Sequence, residues 1–199
     1  MKTFGIFEYM KKYQYENIFL CQDDKAAFKA VIAIHSTALG PAAGGIRMWQ
    51  YESEMDAIED ALRLARGMTY KYAAAGVNMG GGKAVVIADP KRQDREVVFR
   101  TLGRFINRLG GKFYTGEDVG TTLADMEYLF METPYVITLP QYLGGVGPIS
   151  PLTAFGVIQG MRACAKMAFG SDDLSNRVVA VQGAGSVGAS LVEQLADSG

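Results

Sequence analysis

Lys71 lies on a face of a predicted helix that otherwise carries apolar side chains. It follows Met68 by three residues and Leu64 by seven, and this spacing places the three side chains on one helix face. Lysine is almost never fully buried without a partner. Either the helix frays here and Lys71 reaches solvent, or Lys71 is buried with a partner.

A second lysine, Lys83, follows three consecutive glycines in GGGKAVVIADP. Such a run costs backbone entropy and is usually explained by positive φ angles or by a close approach of another group to the backbone. The segment fails as a P-loop, because the first glycine of that motif would fall on Val77 and Ala84 follows the lysine. The alternative is an exposed lysine in a tight turn, although an ordinary turn does not need three glycines.

An adjacent pair of acids, Glu117 and Asp118, stands at the end of a predicted strand in YTGEDVGTT. These acids either supply negative charge to the N-terminus of the following helix or face the lysines across a cleft. A lysine beside another cation in a dry pocket has a lowered pKa and can act as a base near neutral pH. The three segments therefore hold candidate groups for proton transfer.

The elements that would position these groups alternate between strand and helix. Strands are predicted in NIFLC, FKAVIAIHS, KAVVIADP, KFYTG and RVVAVQ, with a short one following the glycine-rich start of LGPAAGGIRMW. Helices are predicted in SEMDAIEDALRLARGMTYKYAAA, REVVFRTLGRFINRL, TTLADMEYLFMET and PLTAFGVIQGMRACAKMAFG. Ser53 and Thr122 are the expected N-caps, and Gly170 ends the last of these helices.

This alternation predicts an α/β architecture. We expect a substrate-binding and oligomerisation domain over residues 1–140. The turn-rich LPQYLGGVGPISP is the best boundary on composition, so a hinge and interdomain helix are expected over 141–177. A second α/β unit should then begin over 178–199.

Composition excludes several classes of partner. The chain is 49% hydrophobic with a net charge of −1. It therefore has no overall positive electrostatic potential that would attract nucleic acid or anionic lipid. The first segment, MKTFGIFEYMKK, is interrupted by Glu8 and is not predicted to be a signal peptide, and no run of about 18 apolar residues could span a membrane. Cys21 and Cys164 lack metal-ligand spacing, and the single histidine, His35, is expected to be a satisfied core or strand-end residue. A cytoplasmic protein without a metal site is predicted.

A glycine fingerprint occurs near the end of the chain. Gly183, Gly185 and Gly188 complete G-x-G-x-x-G between a predicted strand and a predicted helix, which is the context of a dinucleotide-binding turn. A tight strand-to-helix turn without a ligand is the alternative. The acid that would confirm the motif should fall about 20 residues further on, beyond Gly199.

Four segments together resemble the glutamate/leucine/phenylalanine/valine dehydrogenase family, most closely its leucine and phenylalanine branch. They are LGPAAGGIRMW, ALRLARGMTYKYAAAGVNMGGGKAVVIADP, TGEDVGTT and VVAVQGAGSVG. The resemblance implies a three-layer α/β substrate and oligomerisation domain with a mixed sheet, followed by the first βα unit of a Rossmann-type NAD-binding domain that is cut short. It further implies a homo-oligomer that catalyses reversible NAD-dependent oxidative deamination of a hydrophobic L-amino acid to a 2-oxo acid and ammonia.

The resemblance also implies roles for individual residues. Lys83 would be the general base that activates water against the imine, Asp118 would assist proton transfer at the amine, and Lys71 would bind the substrate carboxylate. The substrate pocket would further include Leu39, Gly40, Met68, Gly116 and Thr153. The cofactor would be held by Gly183, Ala184, Gly185, Ser186, Val187 and Gly188.

Departures from the family pattern bear on specificity. Leucine-type enzymes usually carry alanine where Gly116 stands, so this glycine should enlarge the pocket. The hinge GGVGPISP replaces a usually polar GSGNPSP, although Thr153 still matches. A leucine or branched-chain substrate is the first expectation and an aromatic one the second.

The chain alone is expected to bind NAD poorly and to turn over little. A module that retains only assembly surfaces and a Schiff-base enzyme that uses Lys83 are the competing hypotheses. A nucleotide kinase is disfavoured because the P-loop match fails.

Overall fold

A computed structural model describes residues 5–197, within which there are five strands and six α-helices. In chain order the elements are α1 (Ile6–Tyr13), β1 (Asn17–Asp23), β2 (Phe28–Ser36), β3 (Ala42–Trp49), α2 (Glu54–Ala74), β4 (Gly80–Ile87), α3 (Arg95–Asn107), β5 (Phe113–Glu117), α4 (Leu123–Phe130), a 3₁₀ turn (Gln141–Leu143), α5 (Ser150–Phe169) and α6 (Ser186–Ala196). The chain divides into two compact units, Met1–Gly147 and Pro148–Gly199.

The first unit is built on one mixed sheet with strand order β1-β2-β4-β3-β5. β2 runs antiparallel to both of its neighbours, whereas β3 is parallel to β4 and to β5. The predicted α/β class with a mixed sheet is therefore confirmed. Its second strand, FKAVIAIHS, has the predicted bounds.

Helices cover both faces of this sheet, which gives three layers. Val31 and Ala33 of β2 and Val85 of β4 pack with α2 in one apolar cluster. Ile32 of β2 and Val86 of β4 belong to a second cluster that includes residues of α3 and α4. Successive strand residues thus serve opposite faces, and both central strands are buried on each side.

The glycines of β4 are explained by close approach. Gly80, Gly81 and Gly82 have no positive φ angle. A Cβ on Gly81 would overlap the backbone nitrogen of Thr69 in α2, and one on Gly82 would lie 2.8 Å from the Phe113 ring. β4 and α2 can therefore come together only because position 81 lacks a side chain.

The glycine-rich segment before Ile46 differs from the prediction. It was expected to be a connection, but β3 already begins at Ala42, so Gly44 and Gly45 are strand residues. A Cβ on Gly44 would overlap the Gly82 carbonyl oxygen of the neighbouring strand. Low strand propensity is overridden here by the need for close strand packing.

The predicted helix ends and the predicted histidine environment are confirmed. The Ser53 hydroxyl accepts a hydrogen bond from the Asp56 amide at 3.2 Å, Thr122 forms a capping box with Asp125, and α5 ends at Gly170, which has φ of 77°. His35 is buried, with ring nitrogens 2.8 Å from Thr69 Oγ1 and 3.0 Å from the Tyr13 carbonyl oxygen.

Replacing Asp125 with alanine should destabilise the first unit by about 3–5 kcal/mol, because a buried ion pair loses one partner. Asp125 is 1% exposed and receives two hydrogen bonds from Arg95, at 2.7 and 2.6 Å. Urea denaturation measures the loss. The control is Glu96→Ala on α3, where an exposed pair with Arg100 at 3.2 Å is removed, and it should leave the free energy of unfolding nearly unchanged. Equal effects of the two substitutions would contradict the prediction.

The second unit contains α5 and α6, and Gln194 Nε2 of α6 donates a hydrogen bond of 2.9 Å to the Pro151 carbonyl oxygen. The prediction of a strand in RVVAVQ is wrong, since residues 178–182 have no regular strand or helix structure. Val178 is fully exposed. A strand needs hydrogen-bonding neighbours, and the second unit has no strand among its described residues to pair with.

Within residues 5–197, none of the helices is long and apolar enough to cross a membrane.

Candidate active site

Lys83 is a buried residue in the middle of the sheet. It lies on β4 opposite Ala33 of β2, with its side chain on the α2 side of the sheet together with Val85. The residue is 4% exposed, and Nζ lies 2.8 Å from Asp118 Oδ2. The hypothesis of an exposed lysine in a turn is therefore wrong. Burial holds the pKa of Lys83 below that of an ordinary lysine, although the Asp118 carboxylate opposes this shift.

Asp118 follows β5 directly and is fixed by the strand next to it. Its backbone N–H donates to Thr121 Oγ1 at 2.8 Å, and the Thr121 hydroxyl contacts the Ile46 carbonyl oxygen at 3.1 Å. A Cβ on Gly45 of β3 would lie 2.8 Å from the Asp118 Cβ, so this glycine admits the carboxylate. Burial alone would raise the pKa of Asp118, but the charges of Lys83 and Arg47 outweigh it and hold that pKa below its ordinary value.

Arg47, which was not among the predicted site residues, extends the ion pair into a network. Its Nε lies 3.4 Å from Asp118 Oδ2, and its Nη1 donates to Asp60 Oδ2 at 2.9 Å. The Tyr51 hydroxyl donates to the same Asp60 oxygen at 2.7 Å. The sequence does contain a signal for Arg47, because it is a single cation between the apolar Ile46 and Met48. Side chains alternate along a strand, so Arg47 must point to the face opposite these two residues.

This network borders a cavity of about 520 Å³. The cavity is lined by Arg47, Trp49, Tyr51, Asp56, Glu59, Asp60, Arg63 and Val119. Arg47 and Asp60 therefore have one side toward solvent, and their side chains are 25% and 21% exposed. Lys83, with a side chain 6% exposed, lies deeper.

Four other predicted pocket residues of the first unit lie on α2 or on the loop before β3. Lys71 is exposed on α2 and takes no part in the salt bridges of residues 5–197. Met68, half-buried one turn earlier, would lie 3.2 Å from a Cβ on Gly44. Leu39 is 47% exposed. Gly40 has φ of 138°, and a Cβ there would lie only 2.6 Å from the Asn78 carbonyl oxygen. The structure joins Lys83 to Asp118 directly, but it does not join Lys71 to them.

Gly116 is buried, and the space beside it is occupied. A Cβ at this position would lie 2.6 Å from Thr138 Oγ1 and 2.8 Å from Thr138 Cγ2. The Thr138 hydroxyl accepts a hydrogen bond of 2.6 Å from the Glu117 amide, which holds it in place. Thr138 is thus a second residue that shapes this wall, and no spacing rule links it to Gly116 in the sequence.

The predicted residues of the second unit lie around the start of its two helices. Thr153 is exposed in the first turn of α5, and its hydroxyl donates to the Ile149 carbonyl oxygen at 2.9 Å. Gly183 has φ of 86°, Gly185 is the N-cap of α6, and a Cβ on Gly188 would overlap the Gly183 carbonyl oxygen. The exposed Ala184 and Ser186 and the half-buried Val187 complete the turn. The turn and helix of the fingerprint form without its strand.

Comparison with known proteins decides the family. Residues 15–135 match the family model described as Glu/Leu/Phe/Val dehydrogenase, dimerisation domain. The chain belongs to this family. Leucine dehydrogenase of Geobacillus stearothermophilus is 56% identical over 194 residues, which are 98% of this chain and 53% of that protein. Phenylalanine dehydrogenase of Caldalkalibacillus thermarum is 48% identical over 186 residues, 94% of this chain and 50% of that protein.

Solved structures of amino-acid dehydrogenases share the fold. L-tryptophan dehydrogenase from Nostoc punctiforme matches with a TM-score of 0.73 at 40% identity, over 97% of this chain and 54% of that one. Hetero-hexameric glutamate dehydrogenase from Thermus thermophilus matches with a TM-score of 0.76 at 25% identity, over 91% of this chain and 47% of that one. The chain spans about half the length of the curated relatives it matches. The resemblance to the leucine and phenylalanine branch is confirmed.

Proposed function

We propose that this member of the dehydrogenase family supplies the substrate-binding and proton-transfer half of an NAD-dependent amino-acid dehydrogenase. The observation that carries the proposal is the buried pair of Lys83 Nζ and Asp118 Oδ2 at 2.8 Å. Burial lowers the pKa of this lysine, so it is suited to exchange protons at a lower pH than an exposed lysine. The curated relatives that act on leucine and phenylalanine support a hydrophobic L-amino acid as substrate, with leucine or another branched-chain residue as the first candidate.

Lys83 acts as the general base. In its neutral form it removes a proton from a water molecule that attacks the imine carbon, and Asp118 assists proton transfer at the amine nitrogen. Because burial lowers the pKa of Lys83, the neutral form becomes available at a lower pH than it would for an exposed lysine. Deamination should therefore rise with pH and be lost as Lys83 is protonated on the acid side.

Lys71 binds the substrate carboxylate. It is exposed on α2, so a substrate carboxylate can reach its amino group without burying an unpaired ion. Met68, on the preceding turn of α2, lies beside the strand glycines and contributes apolar surface to the pocket with Leu39 and Gly40. The two lysines thus divide the work between binding and proton transfer.

The glycine turn of the second unit fits a pyrophosphate group. Gly183 has the left-handed φ of 86°, Gly188 allows the chain to pass close to the Gly183 carbonyl oxygen, and α6 starts directly after Gly185. Gly183, Ala184, Gly185, Ser186, Val187 and Gly188 would hold this part of NAD. NAD supplies the hydride acceptor when it is bound.

We further propose that the protein is a cytoplasmic homo-oligomer. The family model is described as a dimerisation domain, which supports self-association through the first unit. Cys21 and Cys164 are both free, as expected in a reducing compartment.

A fusion protein tests the proposed function. Residues 1–199 are joined to the remaining C-terminal part of Geobacillus stearothermophilus leucine dehydrogenase, hereafter the leucine dehydrogenase fusion. We expect NADH formation from NAD with L-leucine, L-valine or L-phenylalanine, and little or none from residues 1–199 alone, because the glycine turn lacks its preceding strand among the described residues. A folded fusion that forms no NADH with any hydrophobic amino acid would contradict the proposed function. Robust turnover by residues 1–199 alone would contradict the expectation that they are nearly inactive by themselves.

The leucine dehydrogenase fusion also tests the alternative that the protein is a Schiff-base enzyme. That mechanism requires Lys83 to form an imine with a 2-oxo acid, which borohydride would trap as a covalent adduct. We expect no adduct on Lys83 by mass spectrometry, because its amino group is paired with Asp118 and is 2.8 Å from that carboxylate.

A further inference from the structure

We propose that Arg47 is a positioning residue, a fixed cation that holds the Asp118 carboxylate in place while Lys83 gains and loses its proton. The inference rests on the proposed function of Lys83 as the base. Arg47 is not one of the residues that the family resemblance implies. It is identified by its place in the ion-pair network alone.

The geometry places one oxygen of Asp118 between two cations. Asp118 Oδ2 lies 2.8 Å from Lys83 Nζ and 3.4 Å from Arg47 Nε. In the part of the chain that the structure describes, both Oδ2 and Nε are buried atoms without a hydrogen bond of good geometry. A buried donor and a buried acceptor thus lie 3.4 Å apart, but the N–H of Arg47 is not directed at the carboxylate oxygen. Their interaction is that of two opposite charges in contact.

The chemistry of a lysine base requires such a second cation. When Lys83 is neutral it no longer balances the charge of Asp118, whose side chain is 27% exposed but whose Oδ2 is a buried atom, and that oxygen would be left without a cation. Arginine stays protonated at every pH that proteins tolerate. Arg47 therefore gives Asp118 a partner in both protonation states of Lys83, and the carboxylate does not have to turn away toward water.

Arg47 is itself held by Asp60 of α2, which also binds Tyr51, two residues after the end of β3. Asp60 Oδ2 on α2 accepts hydrogen bonds from Arg47 Nη1 at 2.9 Å and from the Tyr51 hydroxyl at 2.7 Å. The charged groups that act on Lys83 are therefore Asp118 after β5, Arg47 on β3 and Asp60 on α2, and its neighbour on β2 is the uncharged Ala33. Arg47 disfavours the protonated lysine, whereas both acids favour it.

Two charge-removing variants distinguish this role from a structural one. The protonation of Lys83 is measured in the chain itself as the pH dependence of its trace acetylation by acetic anhydride, with the exposed Lys25 as internal reference. We expect Arg47→Met to move the Lys83 midpoint to higher pH and Asp60→Asn to move it to lower pH. Tyr51→Phe removes a hydroxyl but no charge and should stay near the wild-type midpoint, and Arg47→Lys should shift it less than Arg47→Met.

Each outcome decides for or against the proposal. If Arg47 and Asp60 only support packing, both Arg47→Met and Asp60→Asn would admit water to Lys83 and move its midpoint to higher pH. That result would overturn the role proposed for Arg47. An unchanged midpoint in Arg47→Met would overturn it as well. If Arg47→Met does not fold, as judged by circular dichroism, the near-isosteric Asp60→Asn still decides by the sign of its shift. No turnover enters the readout, so a failure of the dehydrogenase assay is a separate result.

Discussion

Replacing Lys83 with methionine in the leucine dehydrogenase fusion should lower kcat for deamination by about 10²- to 10⁴-fold, the usual contribution of a general acid–base group. Methionine keeps the length of the side chain but cannot accept a proton. Lys83 is 4% exposed, so bulk solvent has little access to act as the base in its place. Because the acid-side loss of activity reflects protonation of Lys83, the variant should also lose that limb of the pH profile. NADH formation across pH measures both effects.

Lys29→Met is the matched control for this substitution. Lys29 is exposed and pairs with Glu54 at 2.7 Å, also between the sheet and α2, but it has no part in the proposed chemistry. It should leave kcat and the pH profile unchanged. If Lys83→Met kept kcat within tenfold of the wild type while remaining folded, Lys83 would not be the base.

Replacing Gly81 with alanine should destabilise the first unit by about 3 kcal/mol or more, at the upper end of what overpacking costs. The added Cβ would overlap the Thr69 amide nitrogen and lie 2.6 Å from the Ala65 carbonyl oxygen. Backbone atoms have no rotamer to escape into, so α2 must move away from β4. Urea denaturation measures the loss of free energy of unfolding.

Gly67→Ala on the same helix is the matched control. Gly67 is an exposed residue within α2, and a Cβ there would meet no described atom within 4 Å outside the helix's own backbone. Alanine should therefore stabilise by about 0.5–1 kcal/mol through the usual helix propensity difference. Opposite signs at the two positions are the expected result, and a neutral Gly81→Ala would show that α2 is not held against β4 as the structure places it.

Much of the fold follows from local sequence signals. The bounds of β2 followed from a long apolar run, and the caps at Ser53 and Thr122 followed from side chains that can accept backbone N–H groups. No helix was predicted before β1, yet Ile6–Tyr13 form α1, which packs on the α2 side of the sheet. Its apolar residues Ile6, Tyr9, Met10 and Tyr13 recur at helical spacing, so a local signal for this helix was present.

Two other errors have a common origin. RVVAVQ has every local property of a strand, but a strand also needs neighbours that are absent from the described second unit. The glycines before Ile46 have poor strand propensity, but they are required where two strands and Asp118 come together. Sequence patterns report what a segment prefers, and pairing decides what it becomes.

The site was predictable where a residue broke a pattern. Lys83 was marked by three glycines and by its place in an apolar strand, and Asp118 by its place at a strand end. Arg47 also broke a pattern, but its partner Asp60 lies on α2, and no spacing rule connects them. Thr138 was missed because its role depends on the absence of a side chain at Gly116.

β4 is hydrogen-bonded to β2 on one side and to β3 on the other. The backbone of Lys83 therefore cannot move without breaking the hydrogen bonds to both neighbouring strands, unlike the backbone of a residue on a mobile loop. Opening of this strand belongs to the slow, large-scale fluctuations of the domain rather than to local fraying. During turnover the amino acid must come to the base, and only the four-carbon arm of the lysine is free to adjust.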